Sequence, residues 1–504
     1  MPESGRRLFA WTIVIATAGV CALGCHHANK EVVAPGTMRI GLGAPAGGTR
    51  RTGATAVVNL LKSDPWLASK PDGQIAERIA VAWSWDAAGT TLHLTIRPDV
   101  YFHDGTLLTP DIAAASLRAS VAAADASSLA SISSVTPSAD GVEIHLKERN
   151  AFLLPDLTGV MVIKPGSTTV GVGPYQVEKV DNQGGVLTVF PKYYRGRPAL
   201  AKITVTNYPT QRNAWTALMR GDIDMLYEVS RDAAEFVKAE STVRSYPFPR
   251  PYYIPLVFNV RNPILRDAEV RQAINQALDR EALVRDGMSG KGTPADGPIF
   301  PQNWAYSPPP MPFTFDPVAA KRRLDVVRAR IKGRSGSKEG ARLTFTCLVF
   351  ANDARFERLA AHVQKQLADV GVDMKLEPVP EKELGRRLQA GEFDAFLFEM
   401  AGRTVKWVYD FWRYRDAGLN NSGYHSADAV LDRIRGALSD EEVRRGVVDL
   451  QRILHDDPPA AFLVWQEQTR AVSTKFDVAA EPNRDILINL WQWRLASAAS
   501  QAAR

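Results

Sequence analysis

A strand, a helix and a second strand follow one another with short links in residues 343–376, and this unit fixes the class of fold. Leu343–Phe350 is an apolar run of strand length. Phe356, Leu359, Ala360, Val363 and Leu367 then recur at helical spacing, and Val372, Met374 and Leu376 alternate with Asp373 and Lys375. Two strands joined through one packed helix run parallel in the same sheet. Phe393–Phe398 reads as a further apolar strand after a short helix. Met38, Ile40 and Leu42, then Leu92, Leu94 and Ile96, then Gly141–Leu146 show the two-residue period of half-buried strands. The chain is therefore mixed α/β, and its 504 residues suffice for two or three domains.

Composition excludes several classes. Hydrophobic residues make up 45% and charged residues 23%, which fits neither a disordered chain, a collagen nor a polytopic membrane protein. The formal net charge of +6 is mild over this length and gives no ground for a nucleic-acid partner.

Arg6 and Arg7 precede an apolar run from Leu8 to Leu23, too short to span a bilayer comfortably. That pattern reads as a secretory signal over residues 1–24. Its end, Ala22-Leu23-Gly24-Cys25, resembles a bacterial lipobox, which implies lipidation at Cys25, a tether over 25–36 and a membrane-anchored lipoprotein. Leu23 stands where a lipobox usually has a small residue. An ordinary cleaved signal and a twin-arginine leader remain the alternatives. With Cys21 removed and Cys25 acylated, Cys347 is the remaining thiol; it lies in the apolar run Leu343–Phe350 and reads as a core residue.

Gly41-Leu42-Gly43-Ala44-Pro45-Ala46 after a strand imitates a dinucleotide fingerprint. Pro45 disfavours helix at Ala44, and helical patterning opens only near Ala54, so the stretch reads as a loop. Thr109-Pro110-Asp111 is a helix start: N-cap, proline at the first helical position, acid near the positive dipole end. Val270, Ile274, Ala277, Leu278 and Leu283 form one stripe of a helix over 267–284. Eight prolines in 294–317 predict an extended loop on the surface. Nine basic residues in 321–342, with only Asp325 and Glu339 opposing them, read as a solvated helix face followed by a loop.

Several segments resemble the bacterial extracellular solute-binding proteins of family 5, which serve oligopeptide, dipeptide and nickel ABC importers. The run Ala80-Val81-Ala82-Trp83 through Leu92–Phe102, His103-Asp104-Gly105 and Leu108-Thr109-Pro110-Asp111 keeps the family's spacing, with Asp99 at its usual Gly and Ile112 at its usual Val. Gly171–Tyr175, Phe258-Asn259, Val270–Asn275 with Ala277–Arg280, and Asn421–Tyr424 with Asp428 follow in the family's order. The resemblance covers about residues 37–495.

It implies a two-lobed, periplasmic-binding-protein-like α/β fold of the class II (cluster C) type, with mixed sheets and an extra β-rich subdomain. The expected parts are a first-lobe core of residues 37–48, 168–252 and 478–497, an added subdomain at 49–167, and a second lobe at 253–477. The ligand would lie in the cleft and stabilise closure by touching both lobes. The expected partners are a small-molecule or short-peptide ligand, ABC permease subunits and, through the N-terminal lipid, a membrane; the protein would be a monomer in the periplasm or at the cell surface. A lipid-anchored receptor that senses without transport is the alternative. No G-x-S-x-G, H-E-x-x-H or C-x-x-C stretch occurs, and neither enzyme activity, metal nor cofactor is expected. His103-Asp104-Gly105 reads as a turn, and Trp83 and Trp85 as packing.

In peptide-binding members an Asp near the strand equivalent to Phe393–Phe398 pairs with the ligand's ammonium. Arg403 stands near that place here. A guanidinium repels an ammonium and prefers carboxylate or phosphate oxygens. The expected ligand contacts are Arg403, Trp407, Arg50, Arg51 and Trp465, with Asp410 as an alternative amino-binding residue should the alignment slip.

Overall fold

The computed structural model describes residues 36–44, 53–123, 128–308, 312–335, 343–351, 353–416, 418 and 420–497. The signal, the tether, Cys25, Arg50, Arg51 and most of the glycine-rich loop lie outside the described residues.

One twelve-stranded sheet runs through the described residues. Two long antiparallel strands, Val243–Phe258 and Ala460–Ser473, form its middle. On one side lie Ala395–Leu397, Leu343–Phe350 and Val372–Val379; on the other Met225–Leu226, Thr37–Gly43, Lys202–Tyr208, Gly184–Val189 and Tyr175–Asp181. The strand–helix–strand reading holds: Leu343–Phe350 pairs in parallel with Val372–Val379, across the helix Ala354–Asp369. Thr37–Gly43 is likewise parallel to Lys202–Tyr208 and to Met225–Leu226.

The sheet serves two lobes. Phe345, Leu348, Phe396, Leu256, Leu463 and Trp465 share the second lobe's core. Met38, Ile40, Ile203, Val472 and Phe476 pack in the first, next to a smaller cluster holding Ala471 and Leu226. The strand Ala460–Ser473 therefore passes from one core to the other between Trp465 and Ala471. Its partner breaks register between Pro249 and Tyr253 at the same level. Pro247, Pro249 and Pro251 lack the N–H groups that a regular ladder needs, which is why the interruption falls there.

A four-stranded antiparallel sheet, ordered Ala80–Trp85, Thr91–Ile96, Gly141–Leu146, Ile132–Pro137, builds the added subdomain with its own core. Thr109 caps the helix Pro110–Ala122, accepting from Ile112 N–H. His103, Asp104 and Gly105 form the expected turn: Gly105 has φ +84°, and Asp104 accepts from Thr106 N–H and pairs with Lys164. Lys164 and the turn amide hold the Asp104 carboxyl down to about 2. Trp83 and Trp85 pack, partly buried, against the subdomain core.

Two expectations need correction. The helix expected over 267–284 is broken into Ala268–Gln276 and a second turn capped by Asp279, which accepts from Ala282 N–H. Periodicity survives the break, because Ala277, Leu278 and Leu283 stay in the core. Arg280 fastens the junction by donating to the carbonyls of Ala295, Phe462 and Asn275, and burial pushes its guanidinium down to about 10. The proline-rich segment is irregular but not superficial, since Ala295, Ile299, Phe300 and Ala305 are buried in the second-lobe core. Three charges of the basic helix Pro317–Ser335 are paired locally: Lys321 and Arg328 with Asp325, and Arg330 with Asp267 and Glu269.

Candidate functional site

A cavity of about 650 Å³ opens where the two central strands pass between the lobes. The parallel strands of both lobes aim their C-terminal ends at it: Gly43 and Tyr208 from the first, Phe350 and the Phe398-Glu399 stretch from the second. Open parallel sheets place their ligand crevices at that end, because there the chain leaves the strands as loops and helix N-termini. Gly43 is required by close approach. A Cβ there would come within 2.3 Å of the Gln211 backbone.

The second-lobe wall carries a polar cluster on the two central strands and the link after Ala395–Leu397. Arg250 stacks over Tyr252, its Cζ 4.4 Å from the ring centroid. Its Nη1 stands 3.7 Å from Glu399 Oε2 and 3.5 Å from Gln466 Oε1, while Gln466 donates to Glu399 at 3.0 Å. The carboxylate is thus satisfied by glutamine, and the arginine, with 17% of its side chain exposed, is left with long contacts and spare donors. Its neighbour on the wall is closed. Asp353 caps the helix Ala354–Asp369 and holds Arg355 at 2.7 Å. Burial would lower the Arg355 pKa, and the hydrogen bonds and charge of Asp353 more than offset it.

The first-lobe wall has a matching closed pair. Arg470, 2% exposed, donates to Asp485 at 2.6 and 3.1 Å and lies 3.8 Å above the Tyr227 ring centroid. Burial works against its charge and Asp485 restores it. Lys291 donates to Val229 O at 2.8 Å, and burial pulls its pKa down against the charges of Glu228 and Glu467. Burial raises the Glu467 carboxyl, partly offset by Lys291. Phe350, Phe356 and Phe398 supply an aromatic side, with stacked and edge-on rings 5.7–5.9 Å apart.

The residues expected from sequence fall in different places. Arg403 is exposed and lines the cavity; its carbonyl accepts from Asn303 Nδ2 at 3.0 Å. Trp465 does not line it. At 1% exposure it packs on Tyr253 and Phe300 beneath Gly402, where a Cβ would come within 2.5 Å of its ring. The strand buries both its faces up to Gln466, so Trp465 belongs to the core and the polar residues after it face the cavity. Trp407 is 47% exposed, does not line the cavity, and lies on the outer face of the helix Val405–Trp412, with Lys406 Nζ 4.6 Å from its ring centroid. Asp410 is held away from the cavity by Lys406 at 2.6 Å, with Arg415 at 3.9 Å. That helix turns its apolar stripe and Lys406 inward against the second-lobe core and Asp156 of the subdomain, which carries Trp407 and Asp410 away from the cleft.

Arg250, Glu399, Gln466, Tyr252 and the Asp353–Arg355 pair escaped the sequence reading. Two signals were available. Pro249-Arg250-Pro251 interrupts a strand, and a strand proline beside a charge marks a place where the ladder opens. Gln466-Glu467-Gln468 ends the apolar run Ala460–Trp465 abruptly, as happens where a strand leaves a core.

A model of the bacterial extracellular solute-binding proteins, family 5 Middle, matches residues 74–421, more than half of the chain. The oligopeptide-binding protein AppA of Bacillus subtilis (strain 168) is 26% identical over 341 residues, 65% of this chain and 62% of that protein, so the alignment spans less than two thirds of the relative. Among solved structures, NikZ from Campylobacter jejuni in complex with Ni(L-His) superposes with a TM-score of 0.74 at 20% identity, over 92% of this chain and all of that one. AgaA from A. tumefaciens R10 in complex with agropinic acid superposes at 0.71 and 20% identity, over 92% of this chain and 99% of that one. At such identities the likeness establishes the two-lobed fold. With the family match across most of the subdomain, the strand Val243–Phe258 and most of the second lobe, the chain belongs to the bacterial extracellular solute-binding proteins, family 5.

Proposed function

We propose that this chain is the extracytoplasmic solute-binding component of an ABC importer and that its ligand carries an anionic group. Binding between the lobes, not catalysis, is its work. The observation that carries the reading is the position of Arg250 and Arg403 in a cavity between two lobes, with Arg250 short of acceptors while its carboxylate neighbours are already matched. A carboxylate or phosphate placed there would complete the guanidinium's donor set, and the ring of Tyr252 beneath it would fix its plane. A ligand that also meets Tyr227 and Asp485 across the cleft binds the closed state more tightly and shifts the population toward it.

The relatives support a small polar ligand without naming it. One is described as binding oligopeptides, one holds a nickel–histidine complex and one holds agropinic acid. The proposed part is therefore the charge of the ligand, not its skeleton. The lipidated Cys25, the membrane anchor, location in the periplasm or at the cell surface, and delivery to permease subunits as a monomer belong to the same proposal.

The test is a thermal-shift screen of the full mature chain with short peptides, sugar acids and metal–amino-acid chelates, followed by calorimetry on each compound that raises the midpoint. The expected hits carry a carboxylate or phosphate, and Arg250→Met abolishes their shift. Hits confined to cationic or neutral compounds would refute the anionic assignment, and growth on the hit compound unaffected by deletion of the gene would refute import.

A further inference from the structure

A second cavity, of about 620 Å³, lies on the other side of a thin wall from the first, between the four-stranded subdomain and the first lobe. The wall is the turn that joins the short strands Leu67–Ser69 and Ile75–Glu77, closed by Lys70 N–H donating to Gln74 O at 2.8 Å. Ser69, Lys70 and Pro71 of that turn face both cavities, as does Arg484.

The charge in this second space is one-sided. Lys70, Arg78, Arg97, Arg195 and Arg484 line it, against Glu77 and Glu481. Glu481 is taken by Arg484 at 2.9 Å and by Asn489 at 2.7 Å. Glu77 is 60% exposed and 3.6 Å from Arg97, a weak surface contact. Arg78 is matched from behind by Asp64 at 3.8 Å, yet its buried Nε has no hydrogen-bond acceptor. Arg195 makes no ion pair among the described residues. The cationic excess is therefore uncompensated.

The two outer arginines are also oriented. Arg195 lies over the Trp491 ring with its Cζ 4.6 Å from the centroid, and Arg97 lies 5.5 Å over Tyr194 while its Nε donates to Arg78 O at 2.7 Å. Stacking on an aromatic face fixes the plane of a guanidinium and leaves its N–H edge free for a planar or tetrahedral oxyanion. Trp83 completes an apolar side. A solvated surface has no need of the stacking.

We infer that this groove is a second binding site, distinct from the cavity between the lobes, for a small molecule bearing a carboxylate or phosphate group, with Arg97 and Arg195 as its principal contacts. It does not depend on the ligand assigned to the main cavity.

The experiment is calorimetric titration of the full mature chain with inorganic pyrophosphate and, separately, with citrate at low ionic strength, the two probes separating phosphate from carboxylate recognition. Wild type and Trp407→Ala, whose ring lines neither cavity, are expected to bind at least one probe saturably and alike. The double variant R97E/R195E is expected to lose at least tenfold in affinity. Arg195→Gln, an exposed position with no ion pair to lose, is expected to weaken binding severalfold with an unchanged thermal midpoint, which separates a lost contact from a damaged fold. Absence of saturable binding for both probes, or an unaltered affinity in R97E/R195E, would overturn the assignment.

Discussion

Two charged clusters join parts of this molecule, and they differ in what they leave over. Lys406 is 8% exposed and sits between Asp156 of the subdomain at 3.3 Å and Asp410 of its own helix at 2.6 Å. Its ammonium is held between two carboxylates. Arg250, on the interrupted hinge strand, meets its carboxylate only at 3.7 Å because Gln466 already serves that group. The spare donors mark the second as a site, and the ammonium paired on two sides marks the first as a fastening.

Breaking the fastening should give the largest effect. Lys406→Met leaves two carboxylates facing each other at a buried junction, and removal of one partner of a buried pair costs about 3–5 kcal/mol. Denaturant unfolding should show that loss, while the folded fraction keeps its affinity for ligand. A variant as stable as wild type would mean the cluster is no fastening.

Arg250→Met should invert the pattern. Its pairing is already loose, so stability should change by less than about 1 kcal/mol, while affinity for an anionic ligand should fall by roughly 2–5 kcal/mol as the ligand's charge loses its partner. Calorimetry together with unfolding separates the two. Arg403→Glu should cost affinity as well, by about 1–3 kcal/mol, less than Arg250 because its side chain is exposed. Trp407→Ala sharpens the comparison from the other direction. Its ring lies outside the cavity and half in solvent, so both affinity and stability should stay within about 0.5 kcal/mol.

The smallest effect is a pH dependence in the subdomain. Burial holds His103 below its ordinary pKa, and its Nε2 lies 3.1 Å from Gly173 O while Gly171 N–H donates to Nδ1. A depressed histidine contributes stability that is present above its unfolded pKa of about 6.5 and is lost as pH falls toward the folded value. Unfolding midpoints measured from pH 7.5 to 5 should therefore fall, and His103→Gln should flatten that slope.

The sequence reading reached the frame of the fold further than the site, and particular residues explain the gap. Strand Leu343–Phe350, the helix after it and the cap at Thr109 are local decisions, written in periodicity and capping chemistry. The cleft is not local. Arg250, Glu399 and Gln466 are separated by up to 216 positions and meet only because strands Val243–Phe258 and Ala460–Ser473 pair. Resemblance brought attention to the right loop, where Arg403 lines the cavity, but the aromatic and acidic residues after it enter a helix whose packing turns Trp407 and Asp410 away. Trp465 misled for a related reason: an apolar strand approaching a cleft ends in core before it ends in wall.

Native mass spectrometry of the mature chain as purified, beside Arg250→Met prepared identically, tests the central claim most directly. The account predicts a discrete adduct on the wild-type protein, released on unfolding as a compound with a carboxylate or phosphate group, and its absence from the variant. An adduct retained equally by both proteins, or a released compound with no acidic group, would contradict it.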